Sequence, residues 1–245
     1  MIDLKTLLQN PAQALIIPAA LLAIMLHELS HGLAAYRLGD NTAKEKGRLS
    51  LNPIRHIDIV GLLALIFAGF GWAKPVPVDM RYFKKPRRDF ALVALAGPVS
   101  NFLQALAGFI LFNAACLLHS DLREAGPAVV MAELLSGRFL FHVQQIPVLY
   151  LHLFLLYYVM CNVGLGVFNL IPIPPLDGSK IVGIVIPDRY YYPILKYEQF
   201  GMLLLVALLF LGVLDAPLYF LQSNVRRGIG WLAGLPFQWL GVFGS

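Results

Sequence analysis

Charge is what this chain has least of. Only 13% of its 245 residues are charged, against about 25% in an average soluble domain. With 58% hydrophobic residues, that shortage excludes a disordered chain, which needs the opposite balance, and argues against an ordinary soluble globule. Cysteine is almost absent. Cys116 and Cys161 are too few for a disulfide scaffold and carry no metal-cluster spacing, so they read as small packing residues. There is no long basic run, helix-turn-helix or RNA-binding sheet pattern. The net charge of +5 therefore reads as attraction to membrane lipids, with no nucleic-acid partner. Linkers, internal repeats and low-complexity segments are missing too, so a single domain is expected over residues 1–245.

In place of charge the chain has long uncharged runs, at 6–27, 90–120 and 139–176. Each is long enough for a bilayer core, which takes about 20 residues as helix. A shorter run, 199–214, can be extended by its flanks. Four spans are predicted, at about 12–36, 90–118, 146–171 and 197–221. A fifth apolar stretch, 59–73, is short and is broken by Gly61, Gly69 and Gly71. It reads as part of a re-entrant or β element over about 57–79, because irregular backbone enters a membrane only where protein or water covers it. The flanking loops are both basic. One carries Arg37, Lys44, Lys46, Arg48 and Arg55, the other Lys74, Arg81, Lys84, Lys85, Arg87 and Arg88. Short basic loops stay cytoplasmic, so the N-terminus and the 119–145 loop are expected outside and the 172–196 loop inside. The apolar segment after Arg226 and Arg227 reads as an interfacial helix. The fold class is thus an all-α polytopic membrane protein: about four core transmembrane helices, a re-entrant/β element between the first two, and an apolar C-terminal interfacial segment. No separate signal peptide is expected, since its removal would discard the strongest motif in the chain.

That motif is His27-Glu28-Leu29-Ser30-His31. On a helix, His27 and His31 stand one turn apart on one face, where two imidazoles can grip one Zn²⁺. Glu28 then lies beside the metal, able to take a proton from water. Random placement of residues at this composition gives roughly 0.003 such matches per chain, so chance is set aside. Three ionisable residues at the end of an apolar span are expensive unless they act. The bland alternative is a polar trio snorkelling at the interface.

A catalytic zinc needs a third protein ligand and an open position. The run Asn169-Leu-Ile-Pro-Ile-Pro-Pro-Leu-Asp177-Gly178 ends the third span. Its prolines stop the helix and leave a carboxylate in an unwound segment, which needs a partner. The first and third spans run the same way, so Asp177 belongs at the same membrane face as the two histidines. Alternatively, Asp177 caps a helix starting near Ser179.

HELSHG at 27–32 together with NLIPIPPLDG at 169–178 closely resembles the site-2 protease family of intramembrane zinc metalloproteases. The resemblance extends through GRLSLNPIRHID (47–58), FGWAKPVPV (70–78) and ALAGPVSN (94–101). It is to the compact subgroup lacking a PDZ or nucleotide-sensing domain. It implies one zinc per chain held by His27, His31 and Asp177, with Glu28 as the catalytic glutamate. It also implies a transmembrane protein as substrate, cleaved near the cytoplasmic face, in what is expected to be a prokaryotic cell membrane.

Peptide hydrolysis at such a site needs a hydrogen-bond donor for the developing oxyanion. Asn169 is the first candidate and Asn101 the second; either could instead join helices, as Asn amides do in membranes. Substrate must be extended to be cut, because a helix hides its carbonyls. Pro75 and Pro77 favour an edge strand, so Val76 and Val78 are candidates for a substrate-presenting strand. His56 lies close to that element and either lines the site or is a satisfied structural residue; His119, His142 and His152 have no ligand spacing. The cluster from Arg81 to Arg88 reads as anionic-lipid contact. Two other functions fit some of these features, a membrane metal or ion transporter and a non-catalytic membrane scaffold.

Overall fold

The computed structural model describes residues 11–56, 58, 61, 74–136, 146–187, 189 and 198–242. Among them all regular structure is helical, with no strand. The helices are α1 (Ile16–Arg37), α2 (Thr42–Glu45), α3 (Pro86–Cys116), α4 (Ser120–Ser136), α5 (Ile146–Asn169), α6 (Asp177–Val182), α7 (Glu198–Phe210) and α8 (Asp215–Trp239). Short 3₁₀ turns stand at Pro11–Leu15, Pro53–Arg55 and Met80–Tyr82. Gln13–Arg37, Pro86–Cys116 and Pro147–Asn169 are long and apolar enough to cross a membrane, and α7 with α8 makes a fourth span if the bent pair is taken as one. The protein is an integral membrane protein.

Helix α3 is the centre, packed on α1, α5, α6 and α8. It begins four residues before its uncharged run. Pro86 supplies a preset φ in the first turn, and the Asp89 carboxylate accepts the Lys85 N–H at 2.9 Å. Small residues bring α3 and α5 together, as in many membrane helix pairs. A Cβ on Gly166 would stand 2.6 Å from the Phe102 ring, and one on Gly108 would stand 2.8 Å from Val159. Ala105, Phe109, Val159 and Val163 fill the seam between them. His31 meets Val93 near the start of α3, Asn101 meets Asn162, and Phe112 meets His152. So α3 runs antiparallel to both α1 and α5, and the ends of α1 and α5 meet at one face.

Two elements differ from the sequence expectation. The stretch expected as an outer loop from 119 carries helix α4, kinked at Gly126-Pro127, where glycine takes φ 77°. Leu122 and Val130 of α4 cover an apolar cluster of Phe112, Ala115, Cys116, Leu155 and Leu156, which gives the segment a reason to fold. The single span drawn over 197–221 is two helices bent by 88°. Gly212, at φ 68°, makes the turn between them. The C-terminal segment, read as an interfacial helix, is the latter part of α8, which turns 88° from α7 and also packs on α3 and α5. Ala233 and Phe237 are buried, and Asn113 donates to the Ala233 carbonyl at 3.2 Å. Most of the expected re-entrant element (57, 59, 60 and 62–73) lies outside the described residues; 74–79 forms neither strand nor helix.

Three arginines of the basic 81–88 cluster also bond protein groups. Arg81 pairs with Asp79 at 2.6 Å and Arg88 with Asp89 at 2.8 Å. Arg87 donates to the carbonyls of Gly183 and Ile186, tying the start of α3 to the chain after α6.

Candidate metal centre

His27 and His31 lie on α1 facing α3, both buried. The helix spacing alone puts them on one face; packing decides where their nitrogens point. His31 Nδ1 lies 2.7 Å from the Val93 carbonyl oxygen, which can only accept. His31 therefore carries its hydrogen on Nδ1. His27 Nδ1 lies 2.5 Å from Asn101 Oδ1. The two Nε2 atoms are left 3.0 Å apart. Asp177 Oδ2 stands 3.2 Å from His27 Nε2 and 3.1 Å from His31 Nε2.

Asp177 reaches this point because α6 starts at it, just after the proline-rich turn. Leu176 occupies the N-cap position, and no side chain caps the helix. The carboxylate turns toward the histidines, so the capping alternative does not describe it. The neighbouring Gly178 is required: a Cβ there would collide with the carbonyls of Leu170 and Ile171. Lys180, one turn along, approaches the other carboxylate oxygen, Oδ1, at 3.7 Å.

Two imidazoles with hydrogens on Nδ1 present lone pairs at Nε2, and those lone pairs face a carboxylate oxygen. Asp177 Oδ2 is buried and has no hydrogen-bond partner. Three convergent buried acceptors repel one another unless a cation sits among them. Their ligand atoms lie within 4.8 Å of one another, and two imidazoles with one carboxylate is a donor set suited to zinc with one position open. The residues fit the metal.

The approach of α3 is what closes the site. A Cβ on Gly97 would stand 2.5 Å from ring atoms of both His27 and His31. A cavity of about 300 Å³ opens beside the three groups, lined among others by Glu28, Val76, Val78, Asn169 and Lys180. Glu28 Oε2 accepts the Val76 N–H at 2.9 Å. The 74–79 segment is held at both ends. Lys74 N–H donates to the His56 carbonyl at 2.9 Å and Arg48 donates to the Lys74 carbonyl at 2.5 Å. At the other end the Asp79 N–H donates to Asp40 Oδ2 at 2.7 Å. Side-chain and backbone hydrogen bonds from Arg81 hold the Asp79 carboxyl down at about 2.

The two asparagine candidates separate here. Asn169 lines the cavity, with its amide donating back to the Leu165 carbonyl at 3.0 Å. Asn101 is fully buried behind His27 and does not line it. Its oxygen faces His27, and its amide donates to Asn162 Oδ1 at 2.8 Å. His56 does not line the cavity; its Nε2 bonds the Ser50 carbonyl at 2.8 Å, bracing the loop. Sequence reasoning passed over Lys180, Asn162 and Val93. Lys180 had a usable signal, since it stands three residues after Asp177 on a helix. Val93 contributes only a backbone carbonyl, which no sequence pattern marks.

A family model described as Peptidase family M50 matches residues 15–212. Among curated proteins the chain is similar to "Putative zinc metalloprotease YwhC" of Bacillus subtilis (strain 168). The two are 38% identical over 188 residues, covering 77% of this chain and 76% of that protein. It is also similar to "Putative zinc metalloprotease Rip2" of Mycolicibacterium smegmatis, at 27% identity over 205 residues, or 82% of this chain and 68% of that protein. No solved structure matches it.

Proposed function

The chain belongs to peptidase family M50 and is a zinc metalloprotease of the membrane; from that premise we propose that it cuts peptide bonds in or near transmembrane segments of other membrane proteins. His27, His31 and Asp177 hold one zinc per chain, and Glu28 is the proton carrier. The observation that carries this reading is the convergence of His27 Nε2, His31 Nε2 and the unpartnered Asp177 Oδ2 beside a cavity lined by Glu28. Asp177→Ala is expected to lose zinc that the purified wild type holds one to one. Zinc kept in the variant would move the third ligand elsewhere.

When bound, zinc lowers the pKa of its water toward about 7 and polarises a carbonyl oxygen. Glu28 takes the proton of the attacking water and delivers it to the leaving amine. Its carboxylate is held for this by the Val76 N–H. Asn169 supplies a hydrogen bond to the oxyanion. Its amide spends one hydrogen on the Leu165 carbonyl and has a second to offer. The non-helical 74–79 segment, pinned at both ends, gives an unwound substrate a backbone to lie along. Glu28→Gln is expected to keep zinc and to lose about 10²–10⁴ in turnover of a reconstituted transmembrane substrate. Unchanged turnover would remove Glu28 from the chemistry.

The site faces the cytoplasm of a prokaryotic cell membrane in this reading, because the basic loops before and after the 57–79 region belong on that side. Cysteines placed at Lys46 and Lys84 are expected to label from the same, cytoplasmic face. Labelling from opposite faces would overturn that orientation.

A further inference from the structure

We propose that Asn162, a residue of α5 that does not line the cavity, fixes which nitrogen of His27 is free for metal, acting through Asn101. The inference rests on the reading of His27 as a zinc ligand. It starts from a backbone group. The Tyr158 carbonyl can only accept, and it lies 2.9 Å from the amide nitrogen of Asn162. The opposite amide orientation would set two oxygens at that distance. Asn162 Oδ1 must therefore face the other way, and it lies 2.8 Å from Asn101. An amide oxygen can only accept, so the Asn101 group that faces it is the Nδ2 donor. That leaves Asn101 Oδ1 toward His27 Nδ1, at 2.5 Å. The hydrogen of neutral His27 is thereby held on Nδ1 and its lone pair on Nε2.

Each link has one polarity, and burial removes the means of reversing it. Asn101 and Asn162 are both fully buried and His27 is 5% exposed, so water does not compete for these groups. The chain of bonds crosses α5, α3 and α1 in turn. His31 achieves the same end in one step, by donating to the Val93 carbonyl. His27 has an amide as its neighbour, and an amide can present either a donor or an acceptor. An ambiguous neighbour needs a second group to set its direction, and Asn162 is that group. Asn101 and Asn162 are thus positioning residues; neither touches the cavity.

The test is zinc affinity of the full-length, detergent-purified protein, read by competition of Zn²⁺ with a chromophoric chelator. Asn162→Leu is expected to weaken Zn²⁺ binding about 10–100-fold, the range seen when outer partners of metal ligands are removed. Gln104→Leu is the control for a merely structural role. It deletes the bond that the Tyr158 hydroxyl donates to Gln104 across the same two helices and leaves Tyr158, its carbonyl and Asn162 in place, so affinity should stay at the wild-type value. Asn101→Leu cuts the path to His27 at its middle link. In that background, adding Asn162→Leu should change affinity by less than about threefold, a coupling that only a shared path produces. An Asn162→Leu protein that binds Zn²⁺ as wild type does would overturn the proposal. So would equal weakening by Gln104→Leu, or a tenfold loss on adding Asn162→Leu to Asn101→Leu. The last comparison decides the matter if the Asn162→Leu single variant does not fold. A wild-type protein that binds no Zn²⁺ would overturn the metal site itself, and the relay with it.

Discussion

His152 and the pair His27 and His31 are the same side chain in two regions of one bundle. All three are buried. His152 bonds the Val148 carbonyl through Nδ1 at 2.7 Å, much as His31 bonds Val93. The difference lies at Nε2. That of His152 meets Cys116 Sγ at 3.6 Å, and its ring stacks edge-on to Phe112 at 5.2 Å between centroids. Those of His27 and His31 meet each other and a carboxylate. Burial and a satisfied Nδ1 therefore do not mark a candidate metal ligand; convergence of the second nitrogen does. His152 is a packing residue with its polar atoms satisfied, while the other two are aimed groups with lone pairs left over.

The contrast can be broken most directly by deleting one member from each region. His27→Ala is expected to abolish stoichiometric zinc and turnover together, as measured by metal analysis and cleavage of a reconstituted substrate. If zinc survives His27→Ala, the two regions are not distinguished in the way argued. Within the site region, Asn169→Ala should keep zinc and lower turnover by about 10²–10³, the usual loss for one oxyanion donor; equal turnover would take Asn169 out of the reaction. The comparison is sharpened by the glycine behind the ligands. Gly97→Ala puts a methyl 2.5 Å from both imidazoles, and zinc affinity should fall about tenfold or more, as when a ligand's outer support is lost. Gly164→Ala, where a Cβ meets nothing within 4 Å, should leave zinc affinity alone. The smallest effect belongs to the outer region. His152→Phe should leave zinc and turnover at wild-type levels and shift stability by about 1 kcal/mol, within the range of a tolerated core substitution. Thermal unfolding in detergent reads this, and a loss of zinc in His152→Phe would show that the outer cluster reaches the site.

Much of the site was legible in the sequence because its main signals are local. Helix period alone sets His27 and His31 on one face, and the prolines before Asp177 force the chain out of helix within a few residues. The three spanning helices were legible for the same reason, since hydropathy over about 20 residues is a property of the segment itself. The sequence reading went astray where a segment's conformation depends on what packs against it. Residues after 119 read as a loop, yet Leu122 and Val130 find an apolar cluster from α3 and α5 to cover. Nothing along the last helix says that Ala233 joins the buried cluster of Ala105, Phe109, Val159 and Val163.

The assignment of roles among like residues shows the same division. Asn101 and Asn169 are both amides near the motifs, and nothing in the sequence says that one lies behind His27 and the other beside Glu28. His56 and His152 are likewise indistinguishable by sequence from unspaced ligands. By itself the sequence determined the membrane spans, the helical His27-Glu28-xx-His31 face and the unwound approach to Asp177, because each is governed by neighbours along the chain. Tertiary structure alone decided the meeting of Nε2 and carboxylate atoms, the hydrogen-bond polarity behind His27 and the 88° bend between the last two helices. Those depend on atoms brought together from α1, α3, α5 and α6, and directional bonds between distant segments exist only once the helices have packed.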